Sequence, residues 1–483
     1  MRAEAVAIRS AETARRAQTP RRESHLDEAR LDEAFARLRR AHDAEGGLPV
    51  DVRRAHLKAL RTMVKDRAED FARAVAEDFG GRSRHETLIA EAAVVLAAID
   101  HALPRLKRWA KPERVGVGWR FWPARGFVLK QPRGVVGILA PWNYPVQLSL
   151  MPLVGALAAG CRVLLKPSEL APATAALLAE SIADAFPTEV AAAVTGGPEV
   201  AAAMTRLPLD GLLFTGSQRV GRQVMAAAAE NLTPVALELG GKSPAIVDTT
   251  ADLTEAATAI MAGKLLNAGQ TCVAPDYVLV PRARRDDFVV ACRAAARRLY
   301  PDPAGPDYTA IRGEAMRARL VNLQAGLDAV PLFDVALPPP KLAPALLLDP
   351  PPGSAVMREE IFGPLLPVVG YESLDEAIAA VNGRSQPLAL YWFGRDRARL
   401  RTVLDRTFSG GVGVNDTVMH VAVEALPFGG VGASGFGAYH GRAGFDAFTH
   451  RRAVFEQSRL SPTRFLRPPY GQRAERLLKL LLR

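Results

Sequence analysis

Cys272 stands in the stretch NAGQTCVAPDY (267–277) and is one of only three cysteines in 483 residues. A free thiol has a pKa near ~8.5, so about 3 % of it is thiolate at pH 7. Backbone N–H groups, a nearby cation or a base must raise that fraction before the sulfur acts as a nucleophile. Gly269, Thr271 and Pro275 place backbone rather than side-chain bulk around it. Taken alone, the window reads by default as a core thiol. Cys161 (AAGCRVLLK) and Cys292 (FVVACRAAARRL) sit in apolar runs and read as small core residues.

Other short stretches carry groups that such a nucleophile needs. In PWNYP (141–145) two prolines rigidify a turn and hold Asn143 in one direction, which suits a donor to a developing oxyanion. An Asx turn explains the same residues. In LELGGKSP (237–244) Glu238 ends an apolar run, where desolvation raises a carboxyl toward a useful base; a plain exposed strand end is the alternative. LLFTGSQRVG places Gly216, Ser217 and Gly221 between a strand and a helix, where small residues let a phosphate approach a helix N-terminus. LLKPSE places Lys166 and Glu169 just past a strand, either for ribose hydroxyls or as a surface ion pair. REEIFGP (358–364) carries Glu359, Glu360 and Phe362 at a charged helix end, and the Gly-rich 426–441, read as loop, ends in His440.

The elements that must position these residues are alternating. Residues 26–110 have helical spacing, and WRFWPARGFVLKQPRG suggests a hairpin. From 134, short apolar runs (GVVGILA, RVLLK, VAAAV, GLLFTG) alternate with helical segments, which implies a parallel sheet covered on both faces. A second set (SPAIVD, DYVLVP, LPVVGY, ALYWFG, GGVGVN) implies a second α/β lobe, with LTEAATAIMAGKLLNA as a helix within it. The Pro-rich 338–353 reads as a loop or an edge.

Composition limits the rest. Hydrophobic residues are 49 % and charged residues 23 %, the balance of a globular protein with large cores. The net charge of +11 would suit nucleic acid or a membrane surface, but no basic run is interleaved with aromatics, so neither partner is expected. Three widely spaced cysteines without a CxxC pair fit a reducing compartment and no metal site. No signal peptide is visible, no apolar run reaches the ~18–20 residues that cross a bilayer, and LLKLLLR is too short to anchor. A cytoplasmic location follows.

Together, PWNYP, LLKPSE, FTGS…VG, LELGGKSP, NAGQTC, EEIFGP and PFGGVGASGFG resemble, in order and spacing, the NAD(P)-dependent aldehyde dehydrogenases over residues 30–456. QTCVAPDYVLV and GAYHGRAGFDAFTHRRAV resemble the class 3 and fatty-aldehyde branch, nearest to coniferyl aldehyde dehydrogenases. The resemblance implies an α/β fold with a Rossmann-type cofactor lobe, a catalytic α/β lobe and a bridging β-region. The expected bounds are 26–112 with 134–237 for the cofactor lobe and 238–425 for the catalytic lobe. The bridge is expected at 113–133 with 440–460, a mobile extension without family counterpart at 1–25 and a tail at 461–483.

It also implies roles: Cys272 as nucleophile, Asn143 with the Cys272 N–H as oxyanion donors, Glu238 as base. Lys166, Glu169, Trp142, Gly216, Ser217, Gly221, Glu360 and Phe362 would contact the cofactor, NAD with NADP possible. An aldehyde, aromatic such as coniferyl aldehyde or medium-chain aliphatic, would enter a funnel by Tyr144, Gln147 and the region near 420. A homodimer is expected. Two rivals keep the fold: a CoA-acylating enzyme, which generally lacks the Glu of LELGG, and a basic non-catalytic binding protein.

Overall fold

Strands Val135–Leu139, Arg162–Lys166, Gly211–Gly216 and Val235–Leu239 are apolar runs of five or six residues, and only a sheet covered on both faces buries them. They are described in a computed structural model that covers residues 28–460, 463 and 467–482; the expected extension 1–25 lies outside these. With Ala191–Ala193 they form a parallel sheet in the spatial order 191–193, 162–166, 135–139, 211–216, 235–239. Chain order reverses on either side of Val135–Leu139. A crevice therefore opens at the carboxyl ends of that strand and Gly211–Gly216, the usual ligand position in such sheets.

A sixth strand, Gly435–Phe436, pairs antiparallel with Leu237 and Glu238. This corrects the reading of 426–441 as loop throughout. Gly435 has φ +120°, and a side chain there would run into the Leu237 carbonyl, so only glycine permits this pairing.

The second sheet has seven strands, in the order 329–331, 345–348, 365–371, 277–281, 244–247, 389–393, 411–414. All pairs are parallel except the first. The Pro-rich stretch 338–353 thus contains a strand, Ala345–Leu348, one place in from the edge strand Ala329–Pro331. A separate antiparallel sheet joins Glu113–Val115, Arg125–Pro132 and Thr449–Glu456.

The helix Gln147–Ala159 is buried at every position, as a helix apolar all round must be, and Gly160 ends it in the left-handed region. It packs against Val50–Asp66 and Val94–Ala110. The continuous helical run Arg84–Ala110 is long and apolar enough by composition to cross a bilayer, contrary to the sequence expectation. Its inner face instead packs in this lobe, and it carries the buried Glu86 and Glu91. Cys161 and Cys292 are buried, as expected.

Candidate active site

Cys272, Asn143 and Glu238 line one cavity of about 280 Å³. Asn143 follows strand Val135–Leu139, Glu238 is in strand Val235–Leu239, and Cys272 precedes strand Tyr277–Pro281. The helix before Cys272 ends at Leu265, earlier than the sequence suggested, because Asn267 (φ +52°), Ala268 (φ +49°) and Gly269 (φ +76°) make a left-handed turn. Non-glycine residues pay about 1–2 kcal/mol each for that conformation, so neighbouring contacts must hold it. Gln270 supplies them: its Nε2 donates to the Asn267 and Ala310 carbonyls, each at 3.0 Å, and its Oε1 accepts from Arg312 N at 2.9 Å. A Cβ on Gly269 would collide with the Gly363 carbonyl, so this turn packs directly on the Glu360–Gly363 segment.

The Asn143 amide nitrogen donates to the Gln270 carbonyl at 3.1 Å. An amide carries two N–H donors, and the second is left for the cavity. Glu238 is only 3 % exposed and neither of its carboxylate oxygens has a hydrogen-bond partner. Burial alone pushes its pKa well above the usual carboxyl range. The half-buried Cys272 thiol is pushed up to about 12, first by desolvation and then by the Glu360 and Glu238 carboxylates. His440 is stacked on Phe428 at 5.1 Å, and burial pushes its pKa down to about 4, so it is a neutral packing residue. Tyr144, expected in the funnel, shares a hydrogen bond with Thr271 at 2.7 Å, and Gln147 is buried.

A second cavity of about 790 Å³ lies at the crevice and shares Trp142, Gly216 and Ser217 with the first. Lys166 and Glu169 both line it while forming an ion pair at 2.8 Å. Ser217 caps the helix Gln218–Ala229, its Oγ accepting from Val220 N at 3.4 Å, which places the helix N-terminus at the cavity. Gly216 is crowded by the Phe214 ring. Gly221 lines neither cavity; a Cβ there would meet Leu239, so the packing of helix on strand needs glycine. Trp142 and Phe362 meet edge to face at 5.7 Å, and Phe362 has φ +52°.

The sequence profile of the aldehyde dehydrogenase family matches residues 12–454. The chain belongs to the aldehyde dehydrogenase family. The match begins inside the segment 1–25 that the sequence had left without a counterpart. A probable coniferyl aldehyde dehydrogenase of Pseudomonas aeruginosa is 48 % identical over 94 % of this chain and 96 % of that protein. Aldehyde dehydrogenase family 3 member A2 of Mus musculus is 40 % identical over 87 % of each chain. A solved structure, the substrate-bound state of Staphylococcus aureus AldH, has a TM-score of 0.89 at 38 % identity, covering 94 % of this chain and 99 % of that one. This aldehyde dehydrogenase therefore oxidises aldehydes to carboxylic acids with a nicotinamide cofactor.

The residues present in the aldehyde dehydrogenase fit such a cofactor. The larger cavity lies within the ~300–1,000 Å³ usual for bound small molecules. Glu360 Oε1 is buried without a partner, and burial with the nearby Asp276 carboxylate pushes the group up to about 8. A hydroxyl-bearing ligand would satisfy it.

Two supports escaped the sequence reading. Lys242 pairs with Asp276 and donates to the Val356 and Glu359 carbonyls at 2.8 and 2.9 Å, while Arg319 donates to the Glu360 and Ile361 carbonyls at 2.6 and 2.9 Å. They clamp the segment that carries Glu360 and Phe362. The other support is Arg82 with Glu86 and Glu91 beneath Asn143. No local motif marks Arg82; its chemistry appears only once burial is known.

Proposed function

We propose that Cys272 attacks the aldehyde carbon and that the acid leaves by way of a thioester on its sulfur. The observation that carries this is Glu238: a buried carboxylate with no partner on either oxygen, in the same cavity as the thiol and the Asn143 amide. The thiol proton passes to solvent, the S–C bond forms as the carbonyl π bond breaks, and the carbonyl oxygen gains the negative charge. The free N–H of Asn143 and the backbone N–H of Cys272 are the donors for it; such a donor is worth about 3–4 kcal/mol of barrier. A nicotinamide held by Glu360, Phe362 and Trp142 would supply positive charge and a hydride acceptor for the oxidation. Glu238, with its raised pKa, then accepts a proton from water, the resulting hydroxide adds to the thioester carbon, and the C–S bond breaks to return Cys272 as thiolate.

Lys166, Glu169, Ser217, Gly216, Trp142, Glu360 and Phe362 form the cofactor wall in this reading. The Glu169 carboxylate favours the free 2′-hydroxyl of NAD over the phosphate of NADP. Coniferyl-type aromatic aldehydes are the preferred substrates, on the strength of the Pseudomonas relative's name, with medium-chain aliphatic aldehydes next. We further infer a cytoplasmic homodimer that pairs through the three-stranded sheet, where Trp119, Phe121, Trp122 and Phe455 are exposed.

The test is NADH or NADPH formation across aromatic and aliphatic aldehydes, with and without CoA, beside Cys272→Ser. Wild-type rates in the Ser variant would remove the nucleophile assignment. CoA-dependent NADH formation would favour acylation of CoA, which the presence of Glu238 speaks against.

A further inference from the structure

Arg82 is buried, with its side chain fully removed from solvent, and it lies between two buried carboxylates, Glu86 and Glu91. Its distances to them are 4.0 Å (Nε to Glu86) and 3.6 Å (Nη2 to Glu91), too long for hydrogen bonds, and both of those nitrogens lack a hydrogen-bond partner. The hydrogen bond that Arg82 does make goes from Nη1 to the backbone carbonyl of Asn143, at 2.6 Å. A buried ion pair kept for stability would be expected to satisfy itself, because apolar replacements are often no less stable. This one directs its donor to the Asn143 loop.

The carboxylates tie down the surroundings of that bond. Glu91, in the π-helical turn Leu88–Ala93, accepts from Val146 N at 2.8 Å and Gln147 N at 3.1 Å, and so holds the loop where it enters the next helix. Glu86 accepts from Asn267 N at 3.1 Å and from Thr309 Oγ1 at 2.5 Å. Asn267 Nδ2 in turn donates to the same Asn143 carbonyl at 3.0 Å and to Gln270 O at 3.1 Å. The guanidinium also lies over the Tyr144 ring at 4.5 Å. The loop of Asn143 and the left-handed turn before Cys272 are thus joined through one guanidinium and two carboxylates.

We infer that Arg82, braced by Glu86 and Glu91, is a positioning residue that holds the Asn143 carbonyl and thereby aims the free Asn143 N–H at the oxygen bound over Cys272. The inference rests on the reading of Asn143 as the oxyanion donor. Arg82 touches no reacting atom; it acts through Asn143 alone.

The test uses the full-length enzyme with Arg82→Lys and Arg82→Met, each alone and combined with Asn143→Ala. The burst rate of NADH formation at saturating aldehyde is read per site, with sites counted by stoichiometric iodoacetamide alkylation. Lys keeps the charge between the carboxylates but loses the planar fork. Arg82→Lys is expected to slow the burst about 10- to 100-fold with the half-saturating aldehyde concentration changed less than about 3-fold, and to add less than about 2-fold to Asn143→Ala. The same factor in both backgrounds, an unchanged burst per site, or an effect on half-saturation alone overturns it. An Arg82→Lys protein without titratable sites shows a purely structural role and also overturns it; a misfolded Arg82→Met leaves the Lys variant to decide. If Asn143→Ala itself keeps the wild-type burst, the oxyanion reading fails. If Asn143→Ala is slow while Arg82→Lys is not, only the inference about Arg82 fails.

Discussion

Two pairs of buried carboxylates stand near the Asn143 loop, one facing Arg82 and the other facing the cavity. Glu86 and Glu91 face Arg82 and accept hydrogen bonds from four groups: three backbone N–H groups and the Thr309 hydroxyl. Glu238 has no partner on either oxygen, and Glu360 has none on Oε1. Burial raises the pKa of all four, so a raised pKa does not separate them. What they face does: Glu91 Oε1 and Glu360 Oε1 both lack a hydrogen-bond partner, but Glu91 Oε1 has the Arg82 guanidinium at 3.6 Å, whereas Glu360 lines the cavity with Glu238. The pair facing Arg82 fixes where loops lie, whereas the pair facing the cavity is completed by something the fold does not supply.

The largest effect that sharpens this contrast is on Glu238. Glu238→Gln is expected to lower steady-state turnover about 10²- to 10³-fold while a burst of NADH remains, because loss of a base that activates water leaves the thioester to accumulate. Thermal stability should not fall, since no hydrogen bond is lost. A full turnover rate, or a melting temperature that falls with activity, would place Glu238 with the structural pair. Glu91→Gln should behave in reverse: removing one partner of a buried ion pair typically costs about 3–5 kcal/mol of stability. Chemical denaturation reads it, and an unchanged midpoint would break the contrast.

The next effect concerns the turn that joins both sides. Gly269→Ala forces a side chain into φ +76° and onto the Gly363 carbonyl. A stability loss of about 1–3 kcal/mol follows from the backbone term. The two loops must also part, so the KM for the cofactor should rise as the Glu360–Phe362 segment shifts. Separate measurement of denaturation and of cofactor KM checks both halves.

The sequence showed the polar groups that stand at strand ends and hid the ones that brace them. Asn143 follows one apolar run that reads plainly as a strand, Glu238 lies near the end of another and Cys272 precedes a third, so their place beside the sheets was legible. Arg82, Glu86 and Glu91 lie in a helix-rich region where every third or fourth residue is charged, and spacing does not tell a buried arginine from a solvated one. The left-handed turn at 267–269 was invisible for a related reason: tertiary contacts from Gln270 and Glu86 impose it on residues whose helical spacing continues past Leu265. The crowding of Gly221 by Leu239 was equally hidden, because a glycine near a phosphate and a glycine under a neighbouring leucine look alike in a row of letters.

The smallest effect separates the pairs by pH. The Glu360 pKa is about 8 in the folded chain, against about 4.3 unfolded. Folding therefore favours its protonated form, and the stability so gained is full below about pH 4.3 and is lost as pH rises toward 8. Glu360→Gln cannot ionise and escapes that loss. Without cofactor, its melting temperature should match wild type near pH 4.5 and exceed it at pH 8.5, by about 2–5 °C. Melting curves at pH 4.5, 6.5 and 8.5 decide it: a gap independent of pH would mean that Glu360 is already ionised and satisfied in the fold. Added NAD should then favour wild type, because the orphaned Oε1 gains its partner only with the ligand bound. A reversal of the melting order on adding NAD would mark Glu360 as a group held ready for the cofactor, unlike Glu86 and Glu91, which face the Arg82 guanidinium within the fold.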